Sequence, residues 1–138
     1  MADISIETGR SVNPLYVEKA EIYDFVQAET LAVGDVVYLN TAGKVGKADA
    51  DAAGKLQARG IVVHKIGNTV SIMKKGWLAG FDLSGVAYDG ILYLSNTAGK
   101  MADAGGGTTV ICGRVSSIPD NPLTKVLYVD FDWVRTWA

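Results

Sequence analysis

The sequence predicts an all-β protein: a small pseudo-twofold β-barrel built from two repeated, hairpin-containing units and preceded by an extended N-terminal arm. Three observations point there. Short apolar runs rich in Val, Ile, Leu and Tyr are punctuated by Gly at intervals of roughly ten residues, the spacing of strands in a barrel or sandwich. The composition suits a turn-rich scaffold, with 16 Gly but 3 Pro, one Cys and one His in 138 residues. Finally, the chain repeats itself. Asp35-Val36-Val37-Tyr38-Leu39 and the turn Thr41-Ala42-Gly43-Lys44 return as Asp89-Gly90-Ile91-Leu92-Tyr93-Leu94 and Thr97-Ala98-Gly99-Lys100, so that Tyr38 matches Tyr93 and Leu39 matches Leu94.

Residues 1–30 form the expected arm and residues 31–138 the barrel, whose units span about 31–80 and 83–134. Apolar residues run through the arm, among them Ile4, Ile6, Val12, Leu15, Tyr16, Ile22 and Phe25, which is unlike a disordered tail. Val36 to Leu39 and Ile91 to Leu94 read as strands, because β-branched and aromatic side chains fit a pleated surface. Gly43 and Gly99 supply the positive φ that closes a tight hairpin. Return strands are expected at Gly60 to His64 and Val110 to Val115, and closing strands at Val70 to Met73 and Val126 to Phe131. Asp49 to Ala58 reads as a loop with one or two helical turns. Gly105-Gly106-Gly107 lacks the following Lys-Ser/Thr of a phosphate loop and reads as a hairpin tip.

Little of the composition is suited to catalysis. Thirteen basic against 15 acidic residues give a net charge of -2, without the positive surplus that nucleic-acid binding draws on. Cys112 is the only cysteine, which excludes an internal disulfide and a cysteine-rich zinc site. His64 is the only histidine, and no nucleophile motif accompanies it. It reads as a strand-end residue, and Cys112 as an apolar filler. The expectation is therefore no enzyme, no cofactor and no metal. Residues Met1 to Ser5 show no basic region before an apolar run, and no stretch approaches 18 apolar residues, so neither a secretory signal nor a membrane span is expected.

The remaining clusters each have a structural reading. Asp49 with Asp51, or Asp130 with Asp132, could suggest a cation site. In Asp130-Phe131-Asp132-Trp133, however, strand alternation places both carboxylates on one face and both aromatics on the other, as a solvated face over a buried one. Lys74-Lys75-Gly76-Trp77 reads as a solvated strand end. Trp133, Arg135 and Trp137 match the composition of interface anchors, for a subunit or capsid contact, and equally of a cap on their own barrel.

The progression Leu31-Ala32-Val33-Gly34-Asp35-Val36-Val37-Tyr38-Leu39, Gly43-Lys44-Val45-Gly46-Lys47-Ala48-Asp49 and Gly60-Ile61-Val62-Val63 resembles the small β-rich head-decoration, or capsid cement, proteins of tailed bacteriophages. The likeness spans residues 31–117. It implies a structural virion protein, made in the host cytoplasm, that sits on the outer capsid surface as a homotrimer and bridges major capsid proteins. It also implies a capsid-binding arm, carried here by Ile4, Ile6, Val12, Leu15 and Tyr16. The alternative reading is a receptor- or glycan-binding module of a head fibre or tail, with Trp77, Tyr88 and Tyr93 as an aromatic platform. A third, a small trimeric β-barrel enzyme such as a nucleotide hydrolase, fits the size only.

Overall fold

The two Thr-Ala-Gly-Lys turns adopt the conformation their glycines permit: Gly43 and Gly99 both have a φ of +79°. Each closes a hairpin, β3 (Val36–Leu39) with β4 (Val45–Lys47) and β7 (Ile91–Leu94) with β8 (Met101–Ala102). A long strand pair follows each hairpin: β5 (Ala58–Ile66) with β6 (Thr69–Ala79), and β9 (Ile111–Ile118) with β10 (Asn121–Asp130). The computed structural model describes residues 2–118 and 121–137. Its strands form one curled antiparallel sheet, a half-barrel, in the order β4-β3-β5-β6-β10-β9-β7-β8. No α-helix occurs among the described residues; Asp49 to Gln57 is a run of turns and loop, because its internal Gly54 sits at φ +82° and Asp49 accepts from the Asp51 amide instead of capping a helix.

The N-terminal residues, expected as an extended arm, lie along the sheet. β1 (Asn13–Leu15) and β2 (Glu21–Val26) both pair with β6, β1 with its second half and β2 with its first. Between them the chain turns through a single 3-10 turn at Val17–Lys19, followed by Ala20 beside Gly76 of β6. Gly76 has a φ of +146°, and a Cβ there would lie 3.0 Å from both the Ala20 Cβ and the Met73 Sδ. Upstream, residues 2–6 run between two partners. The Ile4 amide donates to the Met101 carbonyl at 2.8 Å, and the Asp82 amide to the Ser5 carbonyl at 2.8 Å. Downstream, the Ala28 amide donates to Val45 at 2.7 Å. The same segment therefore reaches both terminal strands of the sheet order, β8 near its start and β4 near its end.

The core lies on both sides of the β3-β5-β6 region. One cluster joins Val36, Ile61, Met73, Leu78, Leu92, Leu127 and Phe131 with Ile4 and Val12 from the N-terminal segment. A smaller one collects Leu31, Val37, Val45, Val62, Val70 and Ile72 under Phe25 and Trp133. Burial on both faces is why β5 reads as an unbroken apolar run, where a half-solvated strand would alternate.

Two connections depart from expectation. β8 and β9 do not pair with each other; they flank β7 on its two sides. Gly105-Gly106-Gly107 is therefore not a hairpin tip but part of a crossing that packs on the Asp49–Ala58 loop. A Cβ on Gly106 would come within 2.7 Å of the Ala50 Cβ, and the Thr108 amide donates to the Ala50 carbonyl at 2.9 Å. The glycines are there for close approach, not for a turn. The matching turns also differ in setting. Gly43 faces open space, whereas Gly99 packs against Asp35 and Lys47 and its carbonyl accepts from the Val36 amide.

Gly113 is the tightest of these positions, since a Cβ would meet the Tyr128 carbonyl of the neighbouring strand. Gly113→Ala is expected to cost about 3 kcal/mol as overpacking against backbone, and Gly43→Ala about 1 kcal/mol from its positive φ alone. Urea unfolding of the two variants checks the order; equal midpoints would show that β9 and β10 can part without penalty.

Candidate functional site

Register assigns one face of the sheet to an aromatic row. Leu15, Trp77, Tyr128, Arg114 and Ile91 stand opposite one another on β1, β6, β10, β9 and β7. Directly paired residues share a face. The adjacent row, Leu78, Leu127 and Val115, is buried, so the Trp77 row is the outer face. The Trp77 and Tyr128 rings lie 4.9 Å apart between centroids, and Tyr16 packs against Trp77 edge to face at 5.9 Å. Such pairs contribute about 0.5–1.5 kcal/mol each beyond burial.

Two hollows adjoin Trp77. One, of about 250 Å³, is bounded by Asp89, Arg114, Ser116 and Tyr128; the other, of about 170 Å³, by Tyr16, Lys19, Ser116 and Ser117. Arg114 is held in place by the turn that precedes β7: its Nη1 donates to the Asp89 carbonyl at 2.8 Å and lies 3.6 Å from the Asp89 carboxylate. Tyr16, at φ 51°, and Asp89, at φ 63°, are the non-glycine residues with left-handed backbone among those described. For an aromatic side chain this conformation costs on the order of 1–2 kcal/mol, and at Tyr16 it turns the chain out of β1 beside Trp77.

Sequence reasoning found Trp77 but joined it to the wrong partners. Tyr93 lies on β7, three strands from β6 in the sheet order, and Tyr88 sits under the Lys125 ammonium at 5.4 Å. Tyr16 and Tyr128 were missed as its neighbours because only the register brings residues 16, 77 and 128 together. Of the expected arm residues, Ile4 and Val12 are buried in the core, Ile6 packs over Gly34, and Leu15 and Tyr16 border Trp77. Searches of protein-family models, curated proteins and solved structures give no match to this chain.

The C-terminal aromatics fasten the chain to itself. Trp133 Nε1 donates to the Arg59 carbonyl at 2.7 Å, and its ring packs on Tyr23 at 4.9 Å. Trp137 is half-buried and its carbonyl accepts from Gln57 Nε2 at 2.8 Å, while the exposed Arg135 guanidinium covers its ring at 5.2 Å. His64 is exposed opposite Ser71. Cys112 is fully buried on β9, and burial pushes its thiol far above the usual range.

Two chemical outcomes are expected. Cys112 should resist Ellman's reagent at pH 8 in the native protein and react stoichiometrically in denaturant; fast native labelling would show β9 open to solvent. The amides of Val134 and Arg135 hold the Asp132 carboxyl below the ordinary range. A carboxyl lowered on folding stabilises fully above its unfolded value of about 4, and that contribution is lost as pH falls through the lower folded value. Trp133 emission should accordingly shift to the red on acidification below about pH 4, and Asp132→Ala should show the shifted emission already at pH 7.

Proposed function

We propose that the chain is a structural virion protein that decorates and stabilises the outside of a tailed-bacteriophage capsid by bridging major capsid proteins as a homotrimer. The observation that carries this reading is the edge of β2. Among the described residues β2 has a strand partner only in β6, and exposed Tyr23 and Val26 stand along it with exposed Val17 just before it. An edge of this kind, with apolar side chains beside it, accepts an extended strand of a neighbour through main-chain hydrogen bonds. The N-terminal segment remains the capsid-facing part, through β2 rather than through Ile4 and Val12, whose burial commits them to the core.

The body is read as one unit duplicated. β4-β3-β5-β6 corresponds strand for strand to β8-β7-β9-β10. The register shifts between Val37 and Tyr38 and between Leu92 and Tyr93 fall at matching places, and Gly60 and Gly113 both abut a carbonyl of the next strand. These correspondences, together with the resemblance of residues 31–117 to decoration proteins, support a rigid scaffold that acts through surfaces and asks no chemistry of its side chains. Three weak contacts multiplied by trimer symmetry would bind tightly. A shell that binds the protein only when assembled is stabilised by mass action.

Co-sedimentation with expanded capsids lacking decoration tests the reading. The protein is expected in the pellet and its native mass at three times 14.6 kDa; protein wholly in the supernatant overturns it. Val26→Lys, which places a charge on the β2 edge, should weaken capsid binding at least tenfold (about 1.4 kcal/mol) with an unchanged thermal midpoint.

A further inference from the structure

We propose that the outer-face groove around Trp77 is a binding site for a neutral oligosaccharide of two or more pyranose rings. The inference stands apart from the β2 edge and from the capsid reading. A pyranose ring presents C–H groups on its faces and hydroxyls around its rim, so its receptor needs an aromatic surface beside groups that both donate and accept. Trp77, backed by Tyr16 and Tyr128, supplies the aromatic surface. Arg114 supplies a planar fork of donors, and Asp89 and Ser116 supply acceptors.

Charge fits the larger seat to a neutral ligand. The Arg114 guanidinium stands beside the Asp89 carboxylate at 3.6 Å, so the larger hollow carries no net charge, and the single Lys19 bordering the smaller one adds a hydrogen-bond donor there. Size sets the length of the ligand. The hollows of about 250 and 170 Å³ share Trp77 and Ser116, which makes them neighbouring seats for linked rings. The groove is also built in advance. Its floor is three hydrogen-bonded strands, β6, β10 and β9, and its two ends are formed at Tyr16 and Asp89, both held in left-handed backbone. Strain of this kind concentrates at ligand sites, and a preformed groove loses less entropy on binding.

The test is calorimetric titration with neutral tri- and tetrasaccharides of glucose, galactose, mannose, rhamnose and N-acetylglucosamine, with sialylated and sulfated glycans as the acidic arm. At least one neutral probe is expected to bind with a millimolar or tighter Kd. Trp77→Ala should weaken it at least tenfold. Because Trp77 lies on the central strand, Arg114→Ala, a change at a half-exposed side chain, should also weaken it at least tenfold without loss of the native circular dichroism. Tyr88→Ala, outside the groove, should leave it unchanged. Absence of binding by every neutral probe, equal affinity in folded Arg114→Ala, or binding confined to acidic glycans and lost at high salt would each overturn the proposal.

Discussion

Everything in this fold hangs on β6 having both its edges occupied over its full length. It is the longest of the described strands, its first half is shared between β2 and β5, and its second between β1 and β10. A backbone amide buried without a partner costs about as much as a lost hydrogen bond, so the central strand must find four partners where a flat sheet would offer two. Gly76 makes this possible. It stands with φ +146° at the place where β2 gives way to β1, and its missing Cβ makes room for Ala20.

The N-terminal segment is the second consequence of that constraint. Its apolar residues have their surface within the same chain: Ile4 and Val12 enter the core, and its backbone completes hydrogen bonding at Met101, Gly80 and Val45. Gly80 shows how close the fit is, since a Cβ there would meet the Ser11 carbonyl. The segment also carries the surfaces on which the functional readings stand, the outer edge of β2 and the Tyr16 side of the Trp77 groove.

The C-terminal residues are a counterpart at the other end of the chain. Trp133 lies across Tyr23 and Phe25, the outer strand of the N-terminal segment, and donates to Arg59 at the start of β5. Phe25 of the N-terminal segment and Trp133 near the C-terminus thus both pack on the smaller core cluster. Trp133 and Trp137, whose composition with Arg135 allowed either a cap or an interface anchor, both make contacts within their own chain, and Arg135 is exposed beside the Trp137 ring.

Local chemistry wrote much of this into the sequence. β3 and β7 have the bounds their apolar runs predict, Gly43 and Gly99 take the positive φ their turns require, and Cys112 lies buried among apolar neighbours. These are decisions made within a few residues, by sterics and burial. Tertiary structure alone decided the rest. Identical Thr-Ala-Gly-Lys turns end one in solvent and one against Asp35, the glycine run became a close contact with Ala50, and Trp77 met Tyr16 and Tyr128 instead of Tyr88 and Tyr93. Pairing between strands far apart in the chain depends on register and on which edge is already filled. No window of sequence contains that information, because it is set by the whole sheet at once.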